Sequence, residues 1–190
     1  MKLACLFLSA VLCPLHAETG EKLAVSARKQ IGVTLGYDPA YIALAYPGGD
    51  VPEDSGVCTD VVIRALRDSW DRDLQKLVHE DMRANFAAYP KIWGLARPDK
   101  NIDHRRVPNL RAYFKRRGYQ IALKSPSAAA DFKPGDLVTC TVPPNLPHIM
   151  IVSDRKSAAG VPLVIHNIGG GAREEDRLFS FPLTGHYRVK

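Results

Sequence analysis

Apolar side chains in the first half of the chain recur at the spacing of an α-helix. Around position 61, for example, Val61, Val62, Ala65 and Leu66 fall on one face of a helical cylinder. A stretch rich in turn-forming residues begins at Gly36 and separates the first helical segment from the next. The pattern predicts four helices, over residues 22–31, 58–69, 73–88 and 108–117.

From about residue 119 onward the pattern changes to short apolar runs bounded by proline and glycine, which is typical of β-strands. These runs predict strands over residues 119–123, 135–141, 149–153, 163–168 and 186–189. Helices followed by antiparallel strands make an α+β layout. With 190 residues and no linker-like segment, the chain is expected to form one domain with a working core.

The first 17 residues have the pattern of a secretory signal peptide. Lys2 is followed by an apolar stretch over residues 3–13, and Ala17 is a small residue suited to cleavage. A lipid anchor on Cys13 is disfavoured because Leu12 is bulky where lipid attachment prefers Gly or Ala. We therefore expect a signal peptide over 1–17, a single domain over 18–190 and a periplasmic or secreted location.

Composition excludes some classes of function. No apolar run reaches the roughly 18 residues that a membrane-spanning helix needs, so no membrane span is expected. The net charge of +6 favours anionic surroundings such as cell-wall polymers, nucleic acid or lipid head groups. Nucleic acid is the least supported of these, because aromatic residues make up 8% of the chain and do not alternate with arginines.

Removal of the signal peptide leaves two of the four cysteines, Cys58 and Cys140. In an oxidising compartment they either form a disulfide, or one is a reactive thiol and the other a buried apolar residue. Cys58 follows the Gly56 turn and begins a predicted helix, where backbone N–H groups and the helix dipole favour thiolate. We expect Cys58 to be a low-pKa thiol that is not bonded to Cys140.

A nucleophilic thiol needs a base and a group that orients the base. His148 begins one predicted strand and His166 lies in the next, so adjacent antiparallel strands can bring them together. Asn167 points to the opposite face of its strand from His166, and only one of the two can face His148. Periodicity alone leaves this choice open, and a histidine in a strand is commonly a structural residue.

Two further polar clusters carry candidate chemistry. Arg105 and Arg106 either pair with Asp103 and hold the loop before the last helix, or bind carboxylates of a ligand by bidentate contacts. The composition of the cluster favours the structural alternative. The helical His79–Glu80 pair lacks the second histidine that a zinc-protease helix uses, so neither metal nor cofactor is expected.

The order of a cysteine at a helix start, a histidine at a strand start and a polar residue on the next strand resembles that of papain-like cysteine hydrolases. The stretch Tyr46-Pro-Gly-Gly-Asp, twelve residues before Cys58, resembles the NlpC-type branch of that superfamily. Over about residues 40–190 the chain is similar to a family of secreted bacterial proteins, catalogued as a domain of unknown function and grouped with these peptidases. The longer matching stretches cover residues 56–65, 101–110 and 148–154.

The resemblance implies a papain-like, NlpC-type fold in which N-terminal helices pack on a C-terminal antiparallel sheet. It implies that Cys58 is the nucleophile, His148 the base and His166 the third member, with Tyr46 on the oxyanion side. The chain departs from the NlpC pattern immediately around the nucleophile, where Val57 replaces an Asp.

The function that the resemblance implies is a secreted cysteine amidase or endopeptidase acting on amide bonds of peptidoglycan stem peptides. Arg105 and Arg106 are then the candidates for binding stem-peptide carboxylates. Two alternatives stand beside it. One is a non-catalytic periplasmic module that binds wall fragments or a protein partner, and the other is an antibacterial effector with the same chemistry.

The exported protein should begin near Glu18, because cleavage is expected after Ala17. N-terminal sequencing of the protein recovered from the periplasm or medium measures this directly. Retention of Met1, or an acylated Cys13, would contradict the assignment of a soluble exported protein.

Overall fold

The computed structural model describes residues 15–124 and 128–190, with side chains from Gly20 onward. The predicted signal peptide lies outside the described residues up to position 14, and its last three residues fall in the first helix. Four α-helices precede the sheet in the described residues: α1 (Leu15–Arg28), α2 (Cys58–Trp70), α3 (Leu74–Asn85) and α4 (Val107–Arg116). Six strands follow: β1 (Gln120–Ile121), β2 (Leu137–Val142), β3 (Leu146–Lys156), β4 (Pro162–Asn167), β5 (Ala172–Glu175) and β6 (Leu183–Tyr187).

The helix boundaries have local causes that are visible in the sequence. Asp73 caps α3 by accepting a hydrogen bond from the backbone N–H of Gln75. Pro108 occupies the first turn of α4, where its missing N–H costs no helical hydrogen bond. The helices α2, α3 and α4 therefore lie close to the segments that periodicity predicts, whereas α1 ends at Arg28, three residues before the predicted end.

The strands form one sheet in the order β1-β6-β2-β3-β4-β5, with antiparallel pairing throughout the described residues. This confirms the predicted α+β architecture. Strand β5 was not predicted, because its sequence Ala-Arg-Glu-Glu lacks the apolar alternation of a strand. The strand forms by antiparallel pairing with β4, and its side-chain pattern does not indicate that pairing.

Both faces of the central strands are buried. Leu137, Ile149, Ile151 and Ile165 belong to the core between the sheet and the helices. The alternate positions of the same strands, among them Met150, belong to a second core on the opposite face with Phe132 and Leu178. Two-sided burial explains why β2, β3 and β4 are apolar on both faces. Among the described residues, no helix is long and apolar enough to cross a membrane.

A buried polar cluster joins β2 to β6. The Asp136 carboxylate accepts hydrogen bonds of 2.7 Å from His186 Nε2 and from Arg188 Nε and Nη2. Burial acts to raise the pKa of Asp136, but the hydrogen bonds from His186, Arg188 and the Lys133 N–H outweigh it and hold the pKa below its ordinary value. The ionised carboxylate therefore contributes to folding stability.

Asp136→Asn should lower the free energy of unfolding by about 2 kcal/mol at pH 7, because hydrogen bonds to a charged acceptor are lost. The folded-state pKa of Asp136 is lowered, so its contribution is present above the unfolded pKa of about 3.9 and is lost as pH falls through the folded value. Urea unfolding at pH 7 and pH 3 should show the gap between variant and wild type narrowing in acid. The exposed-site variant Asp176→Asn serves as control, and an Asp136→Asn gap independent of pH would contradict the assignment.

Candidate active site

Cys58 is the first residue of α2, and Asp60 holds the turn that leads into it. The Asp60 carboxylate accepts a 2.6 Å hydrogen bond from the backbone N–H of Val57, the N-cap residue. Gly56 has a φ of +156°, which side-chain-bearing residues rarely adopt. A Cβ added to Gly56 would also lie only 3.0 Å from the Asp60 carboxylate. The sequence Gly-Val-Cys-Thr-Asp is thus a self-capped helix start with the thiol in its first turn.

A buried ion pair anchors this turn to the rest of the domain. Arg105 Nε and Nη2 each lie 3.0 Å from an oxygen of Asp60, and both side chains are at most 3% exposed. The remaining guanidinium donors bond the backbone oxygens of Asp38 and Ala40. The hydroxyl of Thr59 also donates to the Arg105 carbonyl.

This geometry corrects the prediction for Arg105. The guanidinium of Arg105 is fully engaged by the Asp60 carboxylate and two backbone carbonyls. Arg105 is therefore a structural residue, and its partner is Asp60 instead of the expected Asp103. Arg106 instead pairs with Asp103 at 3.1 Å and lies 4.1 Å from the centroid of the Trp93 ring. Arg106 is half-buried beside a groove-lining aromatic residue, and its binding of substrate carboxylates stays a prediction.

The Cys58 sulfur lies against the start of β3. Backbone N–H groups of Ile149 and Thr59 hydrogen-bond the sulfur and act to lower its pKa. Burial has the larger and opposite effect, and the Asp60 carboxylate adds to it, so the pKa of the Cys58 thiol is raised to about 12. The prediction of a low-pKa thiol is therefore wrong for the resting structure, because desolvation at 4% exposure exceeds the effect of the helix terminus.

His148 and His166 form a hydrogen-bonded pair. Nε2 of His148 lies 2.8 Å from Nδ1 of His166, and the rings meet edge to face. Burial, with a smaller contribution from His166, lowers the pKa of His148 to about 3. Burial also lowers the pKa of His166, against the opposing effect of its hydrogen bond to Glu175. Both rings are therefore neutral at pH 7.

The structure brings Cys58 to the strand that carries His148, since Ile149 is the next residue along β3. Among the described residues, no hydrogen bond joins the sulfur to the His148 ring. Cys140, directly opposite His148 in the β2–β3 register, is a buried free thiol, as is Cys58. In the resting structure the Cys58 thiol is protonated and the two imidazole rings are neutral at pH 7.

The choice between His166 and Asn167 is decided by which face of β4 each side chain occupies. His166 contacts His148, whereas Asn167 Nδ2 donates to the carbonyl oxygens of Gly36 and Gly56, each at 2.9 Å. Asn167 therefore ties the loop before Cys58 to the sheet, and of the two residues it is His166 that contacts His148.

Tyr46 does not lie beside Cys58, which corrects the prediction for that residue. Its ring packs against His79 of α3 at 5.2 Å between centroids. The loop that follows is held to α3 by hydrogen bonds from Gly48 and Gly49 to the side chains of Asp73 and Gln75. These contacts hold the Tyr46 loop against α3.

Tyr37 occupies the neighbourhood expected for Tyr46. It lines the same groove as Cys58, and burial together with the Cys58 and Asp60 charges raises the pKa of its hydroxyl to about 12. Its loop is positioned by a backbone hydrogen bond from Asp38 to Gly56. The sequence indicates only a turn at Gly36, and no local pattern predicts that this turn lies near Cys58.

The groove beside Cys58 has a volume of about 300 Å³, at the lower end of the range for ligand sites. Its walls are mainly apolar and include Tyr37, Val57, Trp93, Val107 and Pro147. Among the described residues, no group of three or more His, Cys, Asp or Glu side chains is arranged to hold a metal ion.

The chain forms an α+β fold in which a helix with a thiol in its first turn packs on an antiparallel sheet that carries paired histidines on adjacent strands. Solved structures share it. Two crystal structures of an N-acetylmuramoyl-L-alanine amidase from Bacteroides uniformis align with TM-scores of 0.54 and 0.53, at 12% and 13% identity. The two alignments cover 91% and 90% of this chain, and 99% and 97% of the amidase chains. NlpC1 from Trichomonas vaginalis aligns more weakly, with a TM-score of 0.46 and 15% identity over 90% of this chain, which spans 45% of that chain.

The chain belongs to the family described as "Domain of unknown function (DUF1287)", which matches residues 24–189. It is 57% identical over 175 residues to a protein of Escherichia coli (strain K12) named "Uncharacterized protein YijF", covering 92% of this chain and 83% of the relative. The family resemblance and the fold predicted from the sequence are confirmed.

The alkylation rate of Cys58 should rise with pH without reaching an inflection between pH 5 and pH 10, because burial raises the pKa of the thiol to about 12, above the roughly 8.5 of a free thiol. The measurement uses mature Cys140→Ala protein, in which Cys58 is the remaining thiol, with iodoacetamide rates taken across pH 5–10 by mass spectrometry. The same protein unfolded in urea is the control and should react with an ordinary thiol profile. An inflection below pH 7 in the folded protein would instead indicate a resting thiolate–imidazolium pair.

Proposed function

We propose that this protein is a secreted cysteine hydrolase that cleaves amide bonds, with peptidoglycan stem peptides as its substrate. The observation that carries the proposal is the position of the Cys58 thiol, at the start of α2 and against β3, the strand whose His148 is hydrogen-bonded to His166 of β4. A nucleophile, a base and a group that orients the base are the components of covalent acyl transfer.

The reaction starts from neutral partners, because the pKa of Cys58 is raised and that of His148 is lowered. His148 takes the thiol proton as the sulfur attacks the amide carbonyl carbon, so charge separation develops only with bond formation. The new carbon–sulfur bond pushes the carbonyl electrons onto oxygen. The imidazolium then gives its proton to the leaving nitrogen as the carbon–nitrogen bond breaks, which leaves a thioester on Cys58.

Water completes the cycle. His148, neutral again, takes a proton from water as its oxygen attacks the thioester, and the thiolate leaves and regains that proton. The developing oxyanion is stabilised by the backbone N–H of Cys58 at the helix start. Tyr37 replaces Tyr46 as the tyrosine of this site, because its protonated hydroxyl borders the same groove.

Three observations support a cell-wall substrate. The two solved structures that share the fold with TM-scores above 0.5 are both of a protein named N-acetylmuramoyl-L-alanine amidase. The net charge of +6 suits an anionic polymer. The signal-like first 17 residues suit export to the compartment where that polymer lies.

One observation favours a second candidate, a non-catalytic module that binds wall fragments or a partner through the same groove. Cys58 is 4% exposed and its pKa is raised, as expected of a packed structural thiol. The two candidates differ in whether the protein changes the covalent structure of the wall.

Wild-type protein should release new amide-cleavage products from purified peptidoglycan, and Cys58→Ala should release none above background, because the acyl acceptor is absent. Mass spectrometry of the soluble fragments identifies the bond. Cys140→Ala is the matched control, since it removes the other buried thiol and should retain activity. Identical fragments from wild type and Cys58→Ala, with binding to sacculi retained in a sedimentation assay, would favour the non-catalytic module.

A further inference from the structure

Glu175 ends β5 and lies behind the histidine pair. Its Oε2 is 3.1 Å from His166 Nε2, the ring nitrogen that does not face His148. The β4–β5 register places Val164 opposite Glu175. Since side chains two residues apart share a face of a strand, this pairing puts Glu175 on the same face as His166. The contact is therefore built into the sheet rather than into a loop.

The contact determines where the ring protons are. An ionised carboxylate only accepts hydrogen bonds, so His166 carries its proton on Nε2. A neutral imidazole has one N–H, which makes Nδ1 of His166 an acceptor. His148 Nε2 must then donate across the 2.8 Å contact, and the lone pair of His148 is on Nδ1.

Without the carboxylate, the same 2.8 Å contact allows the opposite arrangement. His166 Nδ1–H would then donate to His148 Nε2, and the His148 proton would sit on Nδ1. In that arrangement the one His148 nitrogen not engaged by His166 has no lone pair, so it cannot accept the thiol proton. An acceptor at His166 Nε2 favours the first arrangement over the second, and Glu175 is that acceptor.

We propose that Glu175 is a positioning residue that acts through His166 to hold His148 in the tautomer with an unprotonated Nδ1. The inference rests on the proposed function in that His148 is taken as the base. The path Glu175–His166–His148 extends the expected three-residue site by one carboxylate.

The surroundings of the pair are consistent with this role. Arg173, opposite His166 in the register, and Arg177 line the same small cavity of about 180 Å³ as His166 and Glu175. Burial and, more weakly, the Arg177 charge keep the pKa of His166 below its ordinary value, so the ring is neutral and has a defined tautomer. The Glu175 side chain is 28% exposed, which allows its replacement without opening the core.

The test is a side-chain ¹⁵N–¹H correlation spectrum of the histidines in uniformly labelled mature protein at pH 7, without substrate. Wild type should show both His166 and His148 as the Nε2–H tautomer. Glu175→Leu should convert both, in whole or in part, to Nδ1–H. Glu175→Gln retains an acceptor oxygen and should keep the wild-type tautomers largely in place. Asp176→Asn, an exposed neighbouring carboxylate, is the matched control and should change neither ring.

Turnover provides the second readout. Glu175→Leu should lower kcat on the order of 10²-fold with KM little changed, less than the about 10⁴-fold for a carboxylate in direct contact with a catalytic base. Glu175→Gln should recover most of that loss. An Nδ1–H tautomer of His166 in wild type, or wild-type tautomers in folded Glu175→Leu, would overturn the inference. If Glu175→Leu fails to fold, the wild-type and Glu175→Gln spectra still decide it.

The two proposals fail separately. Tautomers that respond to Glu175→Leu in a protein with no hydrolase activity would support the role of Glu175 and refute the proposed function. Cys58-dependent hydrolysis with tautomers and kcat unaffected by Glu175→Leu would support the function and refute the role of Glu175.

Discussion

The buried ion pair between Asp60 and Arg105 is the constraint on which the site depends. Asp60 caps the turn that presents Cys58, and Arg105 fixes that turn to the loop at Asp38 and Ala40. Removing one partner of such a pair leaves an uncompensated buried charge, at a cost of about 3–5 kcal/mol. The same carboxylate adds to the effect of burial in raising the pKa of the thiol, so the residue that positions Cys58 also favours its protonated form.

Burial of both faces of the sheet determines the protonation state of the histidine pair. His148 and His166 sit on strands whose both faces are covered, so desolvation keeps the two rings neutral and a hydrogen bond holds them together. Burial of the thiol has the corresponding effect on Cys58. At rest the thiol and both imidazole rings are therefore neutral groups and do not form an ion pair.

Asn167 links the sheet to the N-terminus of α2. Its amide bridges the carbonyls of Gly36 and Gly56, while its neighbour His166 faces the other way toward His148. Adjacent residues on one strand thus serve two separate functions, because successive side chains point to opposite faces. The Tyr37 loop reaches the groove through the same connection, since Asp38 and Gly56 are hydrogen-bonded there.

The sequence by itself determined the helices α2 to α4, five of the six strands, the α+β class and the candidates Cys58, His148 and His166. Each of these rests on local periodicity, on a glycine or proline, or on matched motifs. Tertiary structure alone decided what depends on residues distant in the chain. It put Tyr37 rather than Tyr46 in the groove beside Cys58, paired Arg105 with Asp60, and added β5 with Glu175. It also reversed the expected pKa of Cys58, because a helix start is visible in the sequence, whereas desolvation by packing against β3 exists only in the folded chain.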